Sequence, residues 1–164
     1  MTSAGSRELV VSETRQETPG VRVLRLDLAG GEAFPFKPGQ FMMLGFPEDP
    51  KTSRAYSIAS SPLERGFVEF AVNQVGEFST RLFALHRGER LVGRGPYGKW
   101  TYSDEVPHAV FITGGTGIGP VRGVLRGGVP FVCPQAVVGA TTLTMERRGA
   151  RFHIAARSVG GFTL

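Results

Sequence analysis

A mainly β fold, a sandwich or barrel of short antiparallel strands followed by the start of an α/β segment, is what this sequence predicts, on three observations. Glycine (23) and proline (11) occupy about a fifth of the 164 residues, against roughly an eighth in average domains, so turns and short strands dominate. Several short segments carry the two-residue alternation of half-buried strands between Gly and Pro punctuation. After Pro107 that pattern gives way to a continuous apolar run, Ala109 to Thr113, which leads straight into Gly114-Gly115-Thr116-Gly117-Ile118-Gly119-Pro120. A buried parallel strand entering a helix reads this way.

Taken in order, Glu8 to Glu13 holds the apolar run Leu9, Val10 and Val11. In Val21 to Leu28 the apolar set changes phase, from Val21 and Val23 to Leu24, Leu26 and Leu28, which predicts a bulge in that strand. Phe41 to Phe46 follows the turn Lys37-Pro38-Gly39. Phe67 to Asn73 alternates, with Val68, Phe70 and Val72 inward and Glu69 and Asn73 outward, and Arg90 to Arg94 is a further strand. One helix is expected at about Ser79 to Leu85, because Phe78, Leu82 and Leu85 recur at i, i+4 and i+7. His86 and Arg87 suit its negative end, and Gly88 suits its stop. Pro120 fits the first turn of a second helix with Val121, Val124 and Leu125 on one face, which Gly127-Gly128 and Pro130 end soon after Arg126. The change of pattern places a domain boundary near Asp104 to His108, dividing the chain into 1–105 and 106–164. Trp100 and the phenylalanines read as core.

Composition narrows the function classes. With 41% hydrophobic and 20% charged residues the chain can bury a core. Cys133 is the only cysteine, which excludes an internal disulfide and a cysteine-based zinc or iron–sulfur site within the chain; it reads as a structural or incidental thiol. His86, His108 and His153 have no metal-ligand spacing, so no metal is expected. The opening MTSAGSRELV lacks the apolar stretch of a signal peptide and no run approaches the roughly 20 apolar residues of a membrane span, so the expectation is a soluble cytoplasmic protein with no membrane partner. The net charge of +5 is concentrated in the tail, where Arg147, Arg148, Arg151 and Arg157 face only Glu146. The small remaining excess on the body could steer an acidic partner. A small basic barrel binding nucleic acid through the tail is the alternative of another class; the aromatics do not interleave with the charges as base-stacking platforms require, so no nucleic-acid partner is expected.

Three segments carry chemistry. Arg54-Ala55-Tyr56-Ser57 puts a guanidinium, a ring and a hydroxyl within four residues. In an extended chain Arg54 and Tyr56 share a face and Ser57 takes the other, unless the chain twists locally. Arginine offers a fork matched to phosphate, tyrosine a flat surface, and serine one hydrogen bond toward a heteroatom. The alternative is an amphipathic edge strand. Gly76-Glu77-Phe78-Ser79-Thr80 lies at the start of the first helix, where free N–H groups and the two hydroxyls suit an anion, or where Ser79 simply caps the helix. The third segment, 114–120, lets backbone approach a dinucleotide closely, or needs glycine only for its turn.

Arg54-Ala55-Tyr56-Ser57, Gly76 to Thr80, Gly95-Pro96-Tyr97-Gly98 and Gly114 to Pro120, in that order and with Lys37-Pro38-Gly39-Gln40-Phe41 before them, resemble the ferredoxin-NADP reductase family of flavoprotein electron-transfer modules over residues 7 to about 126. The resemblance implies a Greek-key, six-stranded antiparallel FAD-binding barrel followed by an α/β nicotinamide-nucleotide domain. It implies that Arg54 clasps the flavin pyrophosphate, that Tyr56 lies against the flavin, and that Ser57, the catalytic candidate, hydrogen-bonds near the redox-active ring nitrogen. Backbone at Val72 and at Gly76 to Thr80, including Ser79 and Thr80, would hold the remaining phosphate, which favours FAD over FMN. Gly114, Thr116 and Gly117 would meet NAD(P)H, the hydride donor, and a redox partner protein or small-molecule acceptor would take the electrons. Only 57 residues remain from His108, and a βαβ unit takes roughly 30, so the nicotinamide domain is expected to be incomplete, with an atypical tail from about 127 that reads as a truncated or shifted frame. Phe131-Val132-Cys133-Pro134 is similar to the family's Cys-Gly-Pro element but lacks its glycine. The expected function is a flavin-dependent oxidoreductase module, with a flavin-binding remnant without turnover as the alternative.

Overall fold

The computed structural model describes residues 5–31, 34–102, 112–113, 115–126, 135–138, 141–148 and 151–158. Six strands form one sheet: β1 (Ser6–Thr18), β2 (Val21–Leu28), β3 (Phe41–Phe46), β4 (Asp49–Ser57), β5 (Phe67–Asn73) and β6 (Arg90–Tyr97). Their order is β4-β3-β6-β1-β2-β5, and every pair is antiparallel. The two outer strands then meet. Ile58, just past β4, bridges Phe70 of β5, and the Ala59 N–H donates to the Glu69 carbonyl at 2.8 Å. That closure turns the sheet into a barrel and removes two free edges. It happens at one end of the seam only; beyond it β4 and β5 diverge.

The alternation that predicts the strands also fills the barrel. Leu9, Leu24, Leu26, Met42, Leu44, Ile58, Val68, Phe70, Val72 and Leu91 are fully buried, each contributing about 1.5–3 kcal/mol if it is a large aliphatic or aromatic side chain. The expected bulge in β2 is displaced to its partner. β2 runs against β5 in unbroken register from Val21↔Asn73 to Asp27↔Phe67, whereas β1 shifts against β2 between Val11 and Glu13 and again between Gln16 and Thr18. Ser12 is the extra residue of the first shift, and its hydroxyl donates to Asp27 Oδ1 at 2.6 Å. The phase change in β2 arises because Val23 and Leu24 are both buried.

The first helix, α1 (Glu77–Phe83), starts and stops two residues earlier than its apolar stripe suggests. The reason is local: Ser79 reaches back to the Gly76 N–H at 3.0 Å and so satisfies the helix start from its third residue. Leu82 and Leu85 are buried as expected, and Gly88 (φ 95°) sits in the turn after the helix rather than at its end. Trp100, expected in the core, is 56% exposed. Its ring instead covers Gly39, whose φ of 96° and a Cβ that would fall 2.5 Å from Trp100 Cε3 both demand glycine.

Beyond the barrel, β7 (Ile112–Thr113) leads through a 3₁₀ turn at Gly115–Gly117 into α2 (Ile118–Arg126), and β8 (Gln135–Val138) pairs parallel with β7. α2 thus lies in sequence between two parallel strands, as in a strand–helix–strand unit. Antiparallel strands β9 (Thr141–Arg148) and β10 (Arg151–Ser158) follow, in the sheet order β10-β9-β8-β7. α2 buries Val121 and Val124 of the face expected of it, while Leu125 is only partly buried. The expected boundary at Asp104 to His108, Cys133, and Gly114 of the glycine stretch lie outside the described residues.

Candidate functional site

Where β4 and β5 part company, they leave a cleft of about 730 Å³, inside the range of small-molecule and cofactor sites. One wall is β4, with Arg54, Ala55, Tyr56 and Ser57 all lining it; the other is formed by Ala71 and Asn73 of β5, the Val75–Gly76 corner and α1. Four consecutive strand residues line one cleft because β4 is the edge that opens: the cleft takes its free side as well as one of its faces. The two-face split expected of Arg54, Tyr56 and Ser57 in an untwisted strand does not separate them here, since all three line the cleft.

Arg54 is exposed, donates to its neighbour's Ser53 carbonyl at 3.0 Å, and stands 5.8 Å from the centroid of Phe78. Among the described residues the bond to Ser53 is its only hydrogen bond, and the residue lines the cleft. Tyr56 lies against the core and stacks on Phe78 with centroids 6.4 Å apart and planes at 22°, and Phe78 in turn meets Phe46 edge-on at 5.1 Å. Burial pushes the Tyr56 phenol up, against the lowering pull of Arg54, so it stays neutral and serves as a flat apolar surface. Ser57 faces the cleft opposite Ala71 and Asn73, its backbone paired with Phe41.

Around Gly76 the expected anion site is only partly available. The Ser79 hydroxyl accepts from the N–H groups of Val75 (2.9 Å) and Gly76 (3.0 Å) and donates to the Gly76 carbonyl (2.9 Å), so it shapes the corner and has no proton to spare. Thr80 Oγ1 accepts from Gln74 Nε2 at 3.4 Å. Val72 is wholly buried, so any contact it makes with a ligand runs through its backbone. Gly76 is different in kind. Its backbone is extended (φ −172°, ψ −179°), which any residue adopts, and a Cβ added to it meets nothing within 4 Å. Neither the fold's geometry nor a neighbouring side chain among the described residues requires glycine there.

Of the glycine stretch, Thr116 and Gly119 reach the same cleft, while Gly117 stays exposed in its 3₁₀ turn. The sequence gives no local sign of the other lining residues, Asp49, Thr52, Asn73 and Arg81. Thr52 hydrogen-bonds Asp49 and, with Arg81 nearby, holds that carboxyl below its usual range, and Arg81 pairs with Glu48 while lying 3.8 Å over the Phe46 ring. Among the described residues no group of His, Cys, Asp and Glu could hold a metal ion, and no helix is long and apolar enough to cross a membrane.

With that geometry in place, comparison with known proteins is specific. Residues 8–102 match the family described as oxidoreductase FAD-binding domain. The chain is 38% identical over 116 residues to ferredoxin–NADP reductase B of Sorangium cellulosum, covering 68% of this chain and 48% of that protein. It is 34% identical over 122 residues to the probable dihydroorotate dehydrogenase B (NAD(+)) electron transfer subunit of Pyrococcus abyssi, covering 74% and 44%. Among solved structures, the ferredoxin reductase in carbazole 1,9a-dioxygenase superposes with a TM-score of 0.67 at 31% identity, over 74% of this chain and 38% of that one. The chain thus spans less than half the length of these relatives.

Proposed function

The chain belongs to the oxidoreductase FAD-binding domain family, and from that membership we propose that the cleft between β4 and β5 holds FAD and that the protein passes electrons between NAD(P)H and a redox acceptor, either a partner protein or a small molecule. The observation that carries this reading is the cleft's donor set: an Arg54 guanidinium with donors to spare, the flat Tyr56 surface, and a bare Gly76 backbone around about 730 Å³. These groups suit a phosphate-bearing aromatic cofactor.

In this reading Arg54 binds phosphate by charge-assisted hydrogen bonds, Tyr56 presents its ring to the flavin, and the Ser57 hydroxyl donates toward a ring heteroatom. Backbone at Val72, Gly76, Ser79 and Thr80 holds the remainder, with Ser79 shaping the corner rather than donating to the ligand. FAD, when bound, supplies the exchange between hydride and single-electron chemistry. The protein's part is to orient the cofactor and keep water from it. Thr116 and Gly117 belong to the turn that would meet the nicotinamide nucleotide, beside Gly114. The names of the relatives, a ferredoxin–NADP reductase and an electron transfer subunit, support an acceptor that is itself a redox protein.

The purified protein should be yellow, or become so on loading with FAD, and should bleach when NADH or NADPH is added without oxygen. Yellow protein that neither reductant bleaches would overturn the electron-transfer half of the reading, and protein that stays colourless with excess FAD would overturn all of it. Gly76 offers a finer check. Gly76→Ala should weaken FAD binding by about tenfold, because one methyl intrudes where a ligand packs, at a cost to the fold of only about a few tenths to 1 kcal/mol at the helix start. Titration of the apoprotein with FAD, beside a thermal melt, reads both; unchanged affinity would move the cofactor away from Gly76.

A further inference from the structure

β5 sends Val68, Phe70 and Val72 into the barrel, which leaves Glu69, Ala71 and Asn73 on its outer face. An acid in that position ordinarily meets water, yet Glu69 is 2% exposed. Its cover is α2. Arg122 and Arg126 both donate to Glu69 Oε2, at 2.6 and 2.7 Å, and Arg25 Nε stands 3.3 Å from Oε1. Burial alone would raise the Glu69 carboxyl; Arg122 first, then Arg126 and Arg25, outweigh it and hold the group below its usual range, so it is charged. Arg126 makes a second ion pair with Glu64.

The helix is built to come this close. Gly119 and Gly123 are four residues apart, as are Arg122 and Arg126, so the two pairs form adjacent ridges on one side of α2. A Cβ on Gly123 would lie 2.7 Å from the Ser60 carbonyl oxygen, and one on Gly119 would lie 3.9 Å from Ala71 Cβ. The glycines let backbone meet barrel while the arginines reach past them to the buried acid. The opposite end of the same helix leads into the cleft, where Thr116 and Gly119 form part of the wall beside Ala71 and Asn73. One strand face therefore carries both the anchor, at Glu69, and the cleft, at Asn73.

We propose that Glu69 is a positioning residue for the flavin cleft: by clamping Arg122 and Arg126 it keeps α2 on the outer face of β5, so that Thr116 and Gly119 complete the cleft wall and cofactor retention depends on the clamp. The inference rests on the reading of this cleft as the FAD site. It differs from that reading in giving the segment after the barrel a part in holding the flavin, in addition to any part in meeting the nicotinamide nucleotide.

The test compares FAD dissociation rates and amide exchange of residues 116–126 in the full chain for the wild type and for Glu69→Gln, Arg122→Gln, Arg122→Lys and the Glu69→Gln/Arg122→Gln double variant. Glu69→Gln should release FAD about tenfold faster and raise exchange in 116–126 by about tenfold or more, the size expected from losing a charge-assisted pair, with exchange in β1, β3 and β6 unchanged. Arg122→Gln should move both readings the same way by a smaller factor, about three- to tenfold, because Arg126 still pairs with the acid. Arg122→Lys should stay within about threefold of the wild type because it keeps the charge, and the double variant should be no worse than Glu69→Gln alone. Should Glu69→Gln fail to fold, the Arg122 pair decides, since Arg25 and Arg126 still partner the acid there. Unchanged exchange in 116–126 would overturn the clamp, and raised exchange with unchanged FAD release would overturn its link to the cleft. A wild type that never takes up FAD would instead overturn the reading of the cleft, an outcome distinct from a yellow wild type with indifferent variants.

Discussion

Arg54→Ala is expected to weaken FAD binding by about 10- to 150-fold, the loss of roughly 1.5–3 kcal/mol that a hydrogen bond to a charged group supplies. The structure makes this a clean experiment. Arg54 is exposed, its one hydrogen bond among the described residues runs to the adjacent Ser53 carbonyl, and its ring contact with Phe78 is long at 5.8 Å. Truncation should therefore leave the melting temperature almost unmoved, as surface substitutions do. His86→Ala is the control: His86 lies after α1, its side chain is 86% exposed and it is absent from the cleft lining. Arg54→Lys should recover only part of the affinity, since an ammonium keeps the charge but lacks the fork that grips two phosphate oxygens. Affinity equal to that of His86→Ala, measured by FAD titration of the apoprotein, would remove Arg54 from the site.

Phe70→Ala is expected to destabilise the fold by about 3–5 kcal/mol, the cost of a cavity left by a buried phenylalanine. Phe70 is fully buried and is the residue of β5 that bridges Ile58, so the cavity would open at the seam where the barrel closes. Urea unfolding followed by tryptophan fluorescence would read the change in midpoint. Because the cleft begins just beyond that bridge, FAD affinity should fall too. A variant with FAD affinity lowered and stability intact would mean that the closing bridge contributes nothing to the core.

How far the site is legible without a structure depends on the distance over which each contact acts. Arg54, Tyr56 and Ser57 can be picked out because their chemistry is contained in four consecutive residues, and Gly76 because it stands at a helix start. The helix limits are less legible. α1 begins at Glu77 rather than Ser79 because a side-chain hydroxyl reaches back one turn, a contact that the apolar stripe does not register. Trp100 misleads for a similar reason: large aromatic residues are mostly core, but this one shields a glycine turn at the surface. Nothing near Asn73 or Arg81 in the chain marks them for the cleft; they line it because β5 and α1 lie across from β4.

From its residue pattern alone this chain determined five of the six barrel strands and the glycine turn into α2, because alternation and turn chemistry act over a few residues, whereas β4 was legible only as an extended segment that gathers the guanidinium, ring and hydroxyl of residues 54–57. Only the tertiary structure decided where the barrel opens, and that an outward acid is buried. Glu69 reads as a solvent-facing strand residue until Arg122, 53 positions later, folds back over it. A strand's period assigns a side chain to a face, but whether water or a helix meets that face depends on how distant elements pack.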